Sequence, residues 1–281
     1  MSVIPGNITA NNGNAVAGSS KVRMKIDVTS DITCPFCLIG MKQLLAAIDK
    51  YRLLHPAIDL EPTIRLLPFQ LNPALSEVPQ EKGPYLEKKF GKEKAVAIRG
   101  MVDDKLRAMG VKPTTGGLVS STHLAHRLQT YTLLNHPDLQ LPLAMSLFSL
   151  VHEAGLAPSD RSALASVAVQ HGVFPSLEEA LRFLDSDECD AEVKRAYTMA
   201  RRVGVTGVPF FVFQDRYAAS GAMGVDEFVK LFEEIIRRSE TISSPSPTDS
   251  GVSQDSVSSP STAGTPYSAT SAGAETKGVC A

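Results

Sequence analysis

Between Pro84 and Arg202 the chain carries helical patterning throughout, and strand signals stand on both sides of that block. Few folds accommodate this order. Upstream, Met24-Lys25-Ile26-Asp27-Val28-Thr29 alternates and is rich in β-branched residues, as a short strand should be. Pro35 stands where a first-turn proline fits, and Ile39, Leu44, Leu45, Ile48 and Leu53 recur at helical spacing up to His55-Pro56. Thr63-Ile64-Arg65-Leu66-Leu67, between two prolines, predicts a second strand, parallel to the first through a right-handed crossover. Downstream, Val208 to Phe213 returns to strand character, Tyr217 to Ser220 makes a short strand, and a helix runs from Asp226 to about Arg238. The block itself divides at Gly, Pro and Asn/Asp signals into helices expected near 84–90, 92–109, 121–134, 142–154, 160–170, 176–185 and 187–202. The order β-α-β, helices, β-β-α puts strands from both halves into one sheet and leaves the helices as an insertion. No internal repeat is visible.

The two ends read differently. Residues 1–20 contain no charged side chain and show neither a basic stretch nor a continuous apolar run, so neither a secretory signal nor an Arg-rich transit peptide is expected. Asn7-Ile8-Thr9 matches a glycosylation sequon that has no use without secretion. From Thr241 onward Ser, Thr, Pro, Gly and Ala dominate, and such a segment cannot bury enough surface to offset its ordering entropy. Its Ser/Thr-Pro pairs at 244, 246, 259 and 265 match proline-directed phosphorylation sites, a pattern this composition also produces by chance. Cys280 lies in the wrong place for prenylation. The division expected is a disordered leader over 1–22, two halves of an α/β domain at 23–72 and 203–239 around an all-helical insertion at 73–202, and a disordered tail over 240–281.

Composition excludes several classes. With 28 Lys+Arg against 30 Asp+Glu the formal charge is −2, which leaves no electrostatic footprint for a phosphate backbone or an anionic membrane. No apolar run approaches a membrane span. Four cysteines are too few for a secreted disulfide scaffold, and two of them are three positions apart. The expected location is cytoplasmic.

Cys34-Pro35-Phe36-Cys37 falls at the strand-to-helix junction, where the first sulfur can lie beside unpaired helix N–H groups and the positive end of the helix dipole. Both favour thiolate, and C-x-x-C thiols so placed have pKa values of roughly 3.5 to 7.5. On this reading Cys34 is the nucleophile and Cys37 resolves the mixed disulfide. Two other readings stay open here: half of a zinc site completed by His123 and His126, or an inert pair. A second signal is Gly204-Val205-Thr206-Gly207-Val208-Pro209-Phe210-Phe211, a proline directly before a strand after a glycine-bracketed turn. A cis proline facing the dithiol would expose the backbone of Val208 for pairing with an extended substrate; an ordinary trans proline at an edge strand is the alternative.

These residues resemble the DsbA-like thioredoxin-fold oxidoreductases, and within them the FrnE-like branch. The resemblance runs from about Lys25 to Arg238. It includes Asp31-Ile32-Thr33-Cys34-Pro35-Phe36-Cys37-Leu38-Ile39-Gly40, Leu67-Pro68-Phe69-Gln70-Leu71-Asn72-Pro73, Ala125-His126-Arg127-Leu128, the Gly204 to Val212 segment, and Ser220-Gly221-Ala222. It implies a thioredoxin-like α/β fold whose helical insertion covers the dithiol, with Cys34 and Cys37 active and Val208-Pro209 as the cis-proline loop. Phe36 and Leu38 stand where this branch often has Trp and Tyr, and Met223 where it often has Gln, which changes the rim of the dithiol. By the same resemblance His126 and Arg127 line the substrate groove; by residue type alone they fit a polar helix face or a hydrogen-bonded, half-buried imidazole equally well.

The substrate-binding set expected is Val208, Pro209, His126 and Phe36. Cys189, among acidic neighbours that raise a thiol pKa, reads as a structural or surface cysteine, and Gln70 and Asn72 as turn formers. The function expected is thiol-disulfide exchange on a disulfide-containing protein or a small thiol, with no resident metal or organic cofactor and with glutathione as a candidate co-substrate. A glutathione-dependent isomerase acting on a small aromatic or polyketide-like molecule is the runner-up, and a non-catalytic interaction protein the third class.

Overall fold

The computed structural model describes residues 20–243; the glycosylation match, the Ser/Thr-Pro pairs, Cys280 and most of the expected leader and tail lie outside them. The elements in order are β1 (Ser20–Ser30), α1 (Pro35–Leu54), β2 (Ile58–Pro68), β3 (Gln80–Glu81), α2 (Lys82–Phe90), α3 (Lys92–Ala108), β4 (Leu118–Val119), α4 (His123–Asn135) and α5 (Pro137–His152). They continue with α6 (Arg161–Gln170), α7 (Leu177–Asp185), α8 (Asp190–Arg202), β5 (Phe210–Phe213), β6 (Tyr217–Ser220) and α9 (Val225–Ser243). The main sheet has the order β2-β1-β5-β6, with β1 parallel to β2 and antiparallel to β5, and β5 antiparallel to β6.

Several boundaries differ from the sequence expectation. β1 takes in Ser20, Lys21 and Val22, which the patterning leaves in the leader, and α9 runs on to Ser243. β2 extends from Ile58 straight through Pro62 instead of starting at Thr63. Pro62 fits because β2 is an edge of the sheet, where a missing N–H costs no ladder bond on the open side. The insertion is not all helix: β3 and β4 pair antiparallel, Gln80 opposite Val119 and Glu81 opposite Leu118. Two-residue strands are too short to leave an alternating pattern. α5 begins at Pro137, not 142, and carries Pro142 inside it.

The core lies on one face of the sheet. Met24, Ile26 and Val28 of β1 point to the same side as Phe211 and Phe213, their cross-strand neighbours, and all are buried. Against them pack α1, through Cys37, Met41, Leu44, Ala47, Ile48 and Tyr51, and α9, through Phe228 and Phe232. The Phe211 and Phe228 rings meet edge to face at 5.0 Å, and Phe213 and Phe232 likewise at 6.0 Å, the geometry that ring quadrupoles favour. The other face of the sheet is polar there: Asp27 and Arg65, directly opposite on β1 and β2, form a two-bond pair at 2.6 and 2.5 Å.

The insertion joins the sheet along β2, where α4 and α5 pack. Gln140 of α5, fully buried, serves as a surrogate strand residue for that edge: its carbonyl accepts from Leu66 N at 3.0 Å and its amide donates to Leu66 O at 2.8 Å. Without it, both groups of Leu66 would be buried and unpaired.

Candidate active site

Cys34 is the N-cap residue of α1 in extended conformation, Pro35 occupies the first turn, and Cys37 follows one turn in with its N–H on the Cys34 carbonyl at 3.1 Å. Proline suits that position because its missing N–H would have no helical partner anyway. Cys34 is 2% exposed and Cys37 is 0% exposed. The Cys34 sulfur lies 3.7 Å from the carbonyl oxygen of Val208, and the Val208-Pro209 peptide is cis. The Pro209 carbonyl accepts from Gly221 N at 2.8 Å, and Gly40 of α1 presents no side chain to the Pro209 ring, so helix and loop approach closely. Four of the residues expected in the site, Cys34, Cys37, Val208 and Pro209, are thus gathered at one end of β1 and β5. Phe36 is half-buried beside them and packs on the core.

The loop that carries Cys34 is held from beneath by Asp31. Its carboxyl accepts from Thr33 N at 3.1 Å, Thr33 Oγ1 at 3.0 Å and Leu71 N at 2.9 Å, and its own carbonyl accepts from Cys34 N at 3.0 Å. Burial raises the carboxyl above its ordinary range, with these bonds opposing. Asp31 carries no role in the sequence reading; the signal was the Asp-x-Thr turn pattern, legible as a turn but not as a buried one. His152 of α5, also unforeseen, is buried with Nε2 3.0 Å from the Ile32 carbonyl, which ties the insertion to the same loop.

His126 is reached through Asp31 and does not line the cavity described below. It is fully buried, with Nδ1 2.7 Å from the Tyr197 hydroxyl and Nε2 3.9 Å from Asp31 Oδ1, the latter nitrogen without a hydrogen-bond partner. Burial first, and His123 second, push it down to about 3, so it is a neutral imidazole. His123 reaches Asp190 at 2.9 Å through Nε2. Among the described residues no group of three His, Cys, Asp or Glu is arranged to hold a metal ion.

Arg127 points away from the site. Its guanidinium donates to the carbonyls of Glu188 at 2.8 Å, Phe183 at 3.2 Å and Leu184 at 3.4 Å, so it caps the C-terminus of α7 and offsets the negative end of that helix. The groove-lining role expected of it is corrected accordingly. Cys189 is buried in left-handed conformation at the start of α8, and burial, then Glu188 and Glu192, raises its thiol. Asn72 makes a turn, its side chain accepting from Ala74 N at 3.1 Å and donating to Tyr85 at 2.9 Å, and Gln70 donates to Ser121 at 3.4 Å.

A cavity of about 570 Å³ opens beside Cys34, between its loop and the α2–α3 hairpin. Its apolar wall includes Leu71, Leu86, Phe90, Ile98 and Val102, with Lys82, Lys89 and Arg99 around them. The volume falls in the range of small-molecule sites, roughly 300–1,000 Å³. The helical block also forms one wall of an open cavity that Cys34 lines.

A family model for the DSBA-like thioredoxin domain matches residues 25–233. Comparison with curated proteins finds no match. Among solved structures the fold is similar to that of a probable DsbA oxidoreductase from Streptomyces coelicolor, at 24% identity and TM-score 0.64, covering 80% of this chain and 93% of that one. It is also similar to 2-hydroxychromene-2-carboxylate isomerase, at 15% identity and TM-score 0.55 over 78% and 100% of the two chains. A third is the cytosolic disulfide reductase DsbM from Pseudomonas aeruginosa, at 14% identity and TM-score 0.50 over 76% and 99%. At these identities the likeness speaks to the fold. With a family model spanning most of its length and the strand order, insertion and dithiol position described above, the chain belongs to the DSBA-like thioredoxin domain family.

Proposed function

We propose that this protein is a thiol-disulfide oxidoreductase of the FrnE-like branch, working through the Cys34-Pro35-Phe36-Cys37 dithiol in the cytoplasm. The observation that carries the reading is the Cys34 sulfur at the α1 N-terminus, 3.7 Å from the Val208 carbonyl, with Cys34 among the residues that line the cavity. There the helix dipole favours negative charge on sulfur. The Cys34 thiolate attacks one sulfur of a substrate disulfide, forms a mixed disulfide and expels the other sulfur as a thiolate, which takes up a proton. Cys37, fully buried behind it, then gives up its proton and attacks the Cys34 sulfur. The second substrate thiol leaves, and the two electrons have passed from the dithiol to the substrate. A thiol such as glutathione restores the pair. Val208 and Pro209 border the path of an extended substrate, Phe36 forms the rim, and His126 is held by Tyr197 in the core near Asp31.

The test is turnover of a protein disulfide, insulin for example, with glutathione as donor, together with trapping by single variants. Cys34→Ser abolishes exchange, whereas Cys37→Ser accumulates mixed disulfides it resolves slowly. Adducts trapped by Cys34→Ser and not by Cys37→Ser would reverse the assignment. A second reading, a glutathione-dependent isomerase of a small molecule, draws on the cavity and on the fold shared with 2-hydroxychromene-2-carboxylate isomerase. Glutathione binding without any disulfide exchange would select it.

A further inference from the structure

The cavity lining holds three cations and three carboxylates, but they do not pair with one another. Among the described residues Lys82, Lys89 and Arg99 have no carboxylate within ion-pair distance, although ion pairs are common elsewhere on the surface. Arg99 donates to the carbonyl of Thr115, and Lys89 lies over the Phe90 ring at 5.2 Å. Of the acids in the same lining, Asp103 lies 3.7 Å from Arg107, Asp31 is bound by Thr33 and Leu71, and Glu81, exposed on β3, makes no ion pair with any of the three cations.

Lys82 is the telling residue. It opens α2, its backbone N–H is held by the Gly117 carbonyl at 2.9 Å, and its side chain is half-buried. Burial lowers its ammonium from the usual lysine range; Asp103 opposes and Arg99 adds to the shift. A partly buried cation with no ion pair costs free energy that an anion in the cavity would offset. The apolar wall, meanwhile, suits a compact hydrophobic body better than a length of unfolded polypeptide.

We propose that the cavity between the Cys34 loop and the α2–α3 hairpin is a substrate site for small disulfides that join an apolar body to a carboxylate, with Lys82 and Arg99 holding the carboxylate. This rests on the oxidoreductase reading and names its substrate class. The Cys34 thiolate attacks the nearer sulfur of the bound disulfide, one half stays on Cys34 as a mixed disulfide, and the other leaves as an aryl or alkyl thiolate.

The experiment uses the full chain in its dithiol form and two chromogenic probes of similar size, dithiobis(nitrobenzoate), which carries carboxylates, and dithiodipyridine, which is neutral. Stopped-flow absorbance reads release of the aryl thiolate, and mass spectrometry of the Cys37→Ser form locates the adduct. Lys82→Gln slows the anionic probe about tenfold and the neutral probe less than about twofold, and added salt slows only the anionic reaction. Arg99→Gln, at an exposed position that folding tolerates, gives the same selective loss, whereas Lys230→Gln on α9 changes neither rate. Equal slowing of both probes in the Lys82 and Arg99 variants, or no change in either, overturns the proposal while leaving the oxidoreductase reading intact. If wild-type Cys34 reacts with neither probe, it is the oxidoreductase reading that fails.

Discussion

Gly40→Ala is the sharpest test of how α1 and the Pro209 loop are assembled. A Cβ at Gly40 would lie 2.9 Å from Pro209 Cγ and 3.2 Å from Phe211 Cζ, where carbons prefer roughly 3.5–4.0 Å. Neither neighbour can swing aside: one atom belongs to a five-membered ring, and the other to a fully buried phenyl wedged against Phe228. Overpacking of this kind costs about 1–3 kcal/mol. Replacing a helical glycine by alanine also gains about 1 kcal/mol, which would mask part of the loss. Gly100 of α3 supplies the reference, because a Cβ there meets nothing within 4 Å and Gly100→Ala collects the propensity gain alone. The two variants should therefore differ by the overpacking cost, and at about 2–4 °C per kcal/mol for a fold of this size Gly40→Ala should melt roughly 2–12 °C below Gly100→Ala. Since the loop that must yield holds Val208 against the Cys34 sulfur, Gly40→Ala should also slow mixed-disulfide formation, measured on folded protein, while Gly100→Ala should not. Equal melting temperatures with equal exchange rates would show that the helix and loop are not in the close contact described, and the argument would fail.

Other expectations follow from buried polar groups. Gln140→Leu strands the N–H and C=O of Leu66 at the sheet edge and should cost about 2–4 kcal/mol in denaturant melts; a loss under about 1 kcal/mol would mean that water reaches the edge. Arg127→Met leaves the carbonyls at the end of α7 without their donor and should cost about 2–4 kcal/mol while the initial attack rate of Cys34 stays near wild type; a selective loss of that rate would return Arg127 to the site. Acid should destabilise the fold well before carboxylates titrate. His126 and His152 are both held down to about 3 by burial, so the unfolded chain gains protons that the folded chain refuses as pH falls below about 6.5. Stability should drop by up to about 1.4 kcal/mol per pH unit for each histidine, with the raised Asp31 carboxyl, more readily protonated when folded, partly offsetting this at the acid end. Urea melts between about pH 7 and 5 should show this slope, and His152→Gln, which keeps a donor for the Ile32 carbonyl, should reduce it by about one proton; an unchanged slope would contradict the assignment of a neutral buried His152.

Local chemistry made a good part of this protein legible before any coordinates. Strand alternation over residues 24–29, the proline opening a helix after Cys34, and the proline ahead of Phe210-Phe211-Val212-Phe213 are all written within windows of a few residues, because periodicity and proline geometry act at that range. They sufficed to pair the ends of the chain in one sheet and to put the dithiol at a strand-to-helix junction. What remained depends on neighbours that only the packed chain brings together. Cys34 meets Val208 across 174 positions, His126 meets Tyr197 across 71, and Gln140 reaches Leu66 across 74. Whether Pro62 interrupts a strand depends on which strand forms the edge, whether Asp31 is a turn residue or a buried carboxyl depends on what covers it, and whether Arg127 faces substrate or a helix end depends on where α7 stops. Residue type states what a side chain can do. Burial and partner are properties of the assembled core, and they selected among those capacities: a neutral imidazole at His126, a helix cap at Arg127, and a cation with no ion pair at Lys82, in the lining of the same cavity as Cys34.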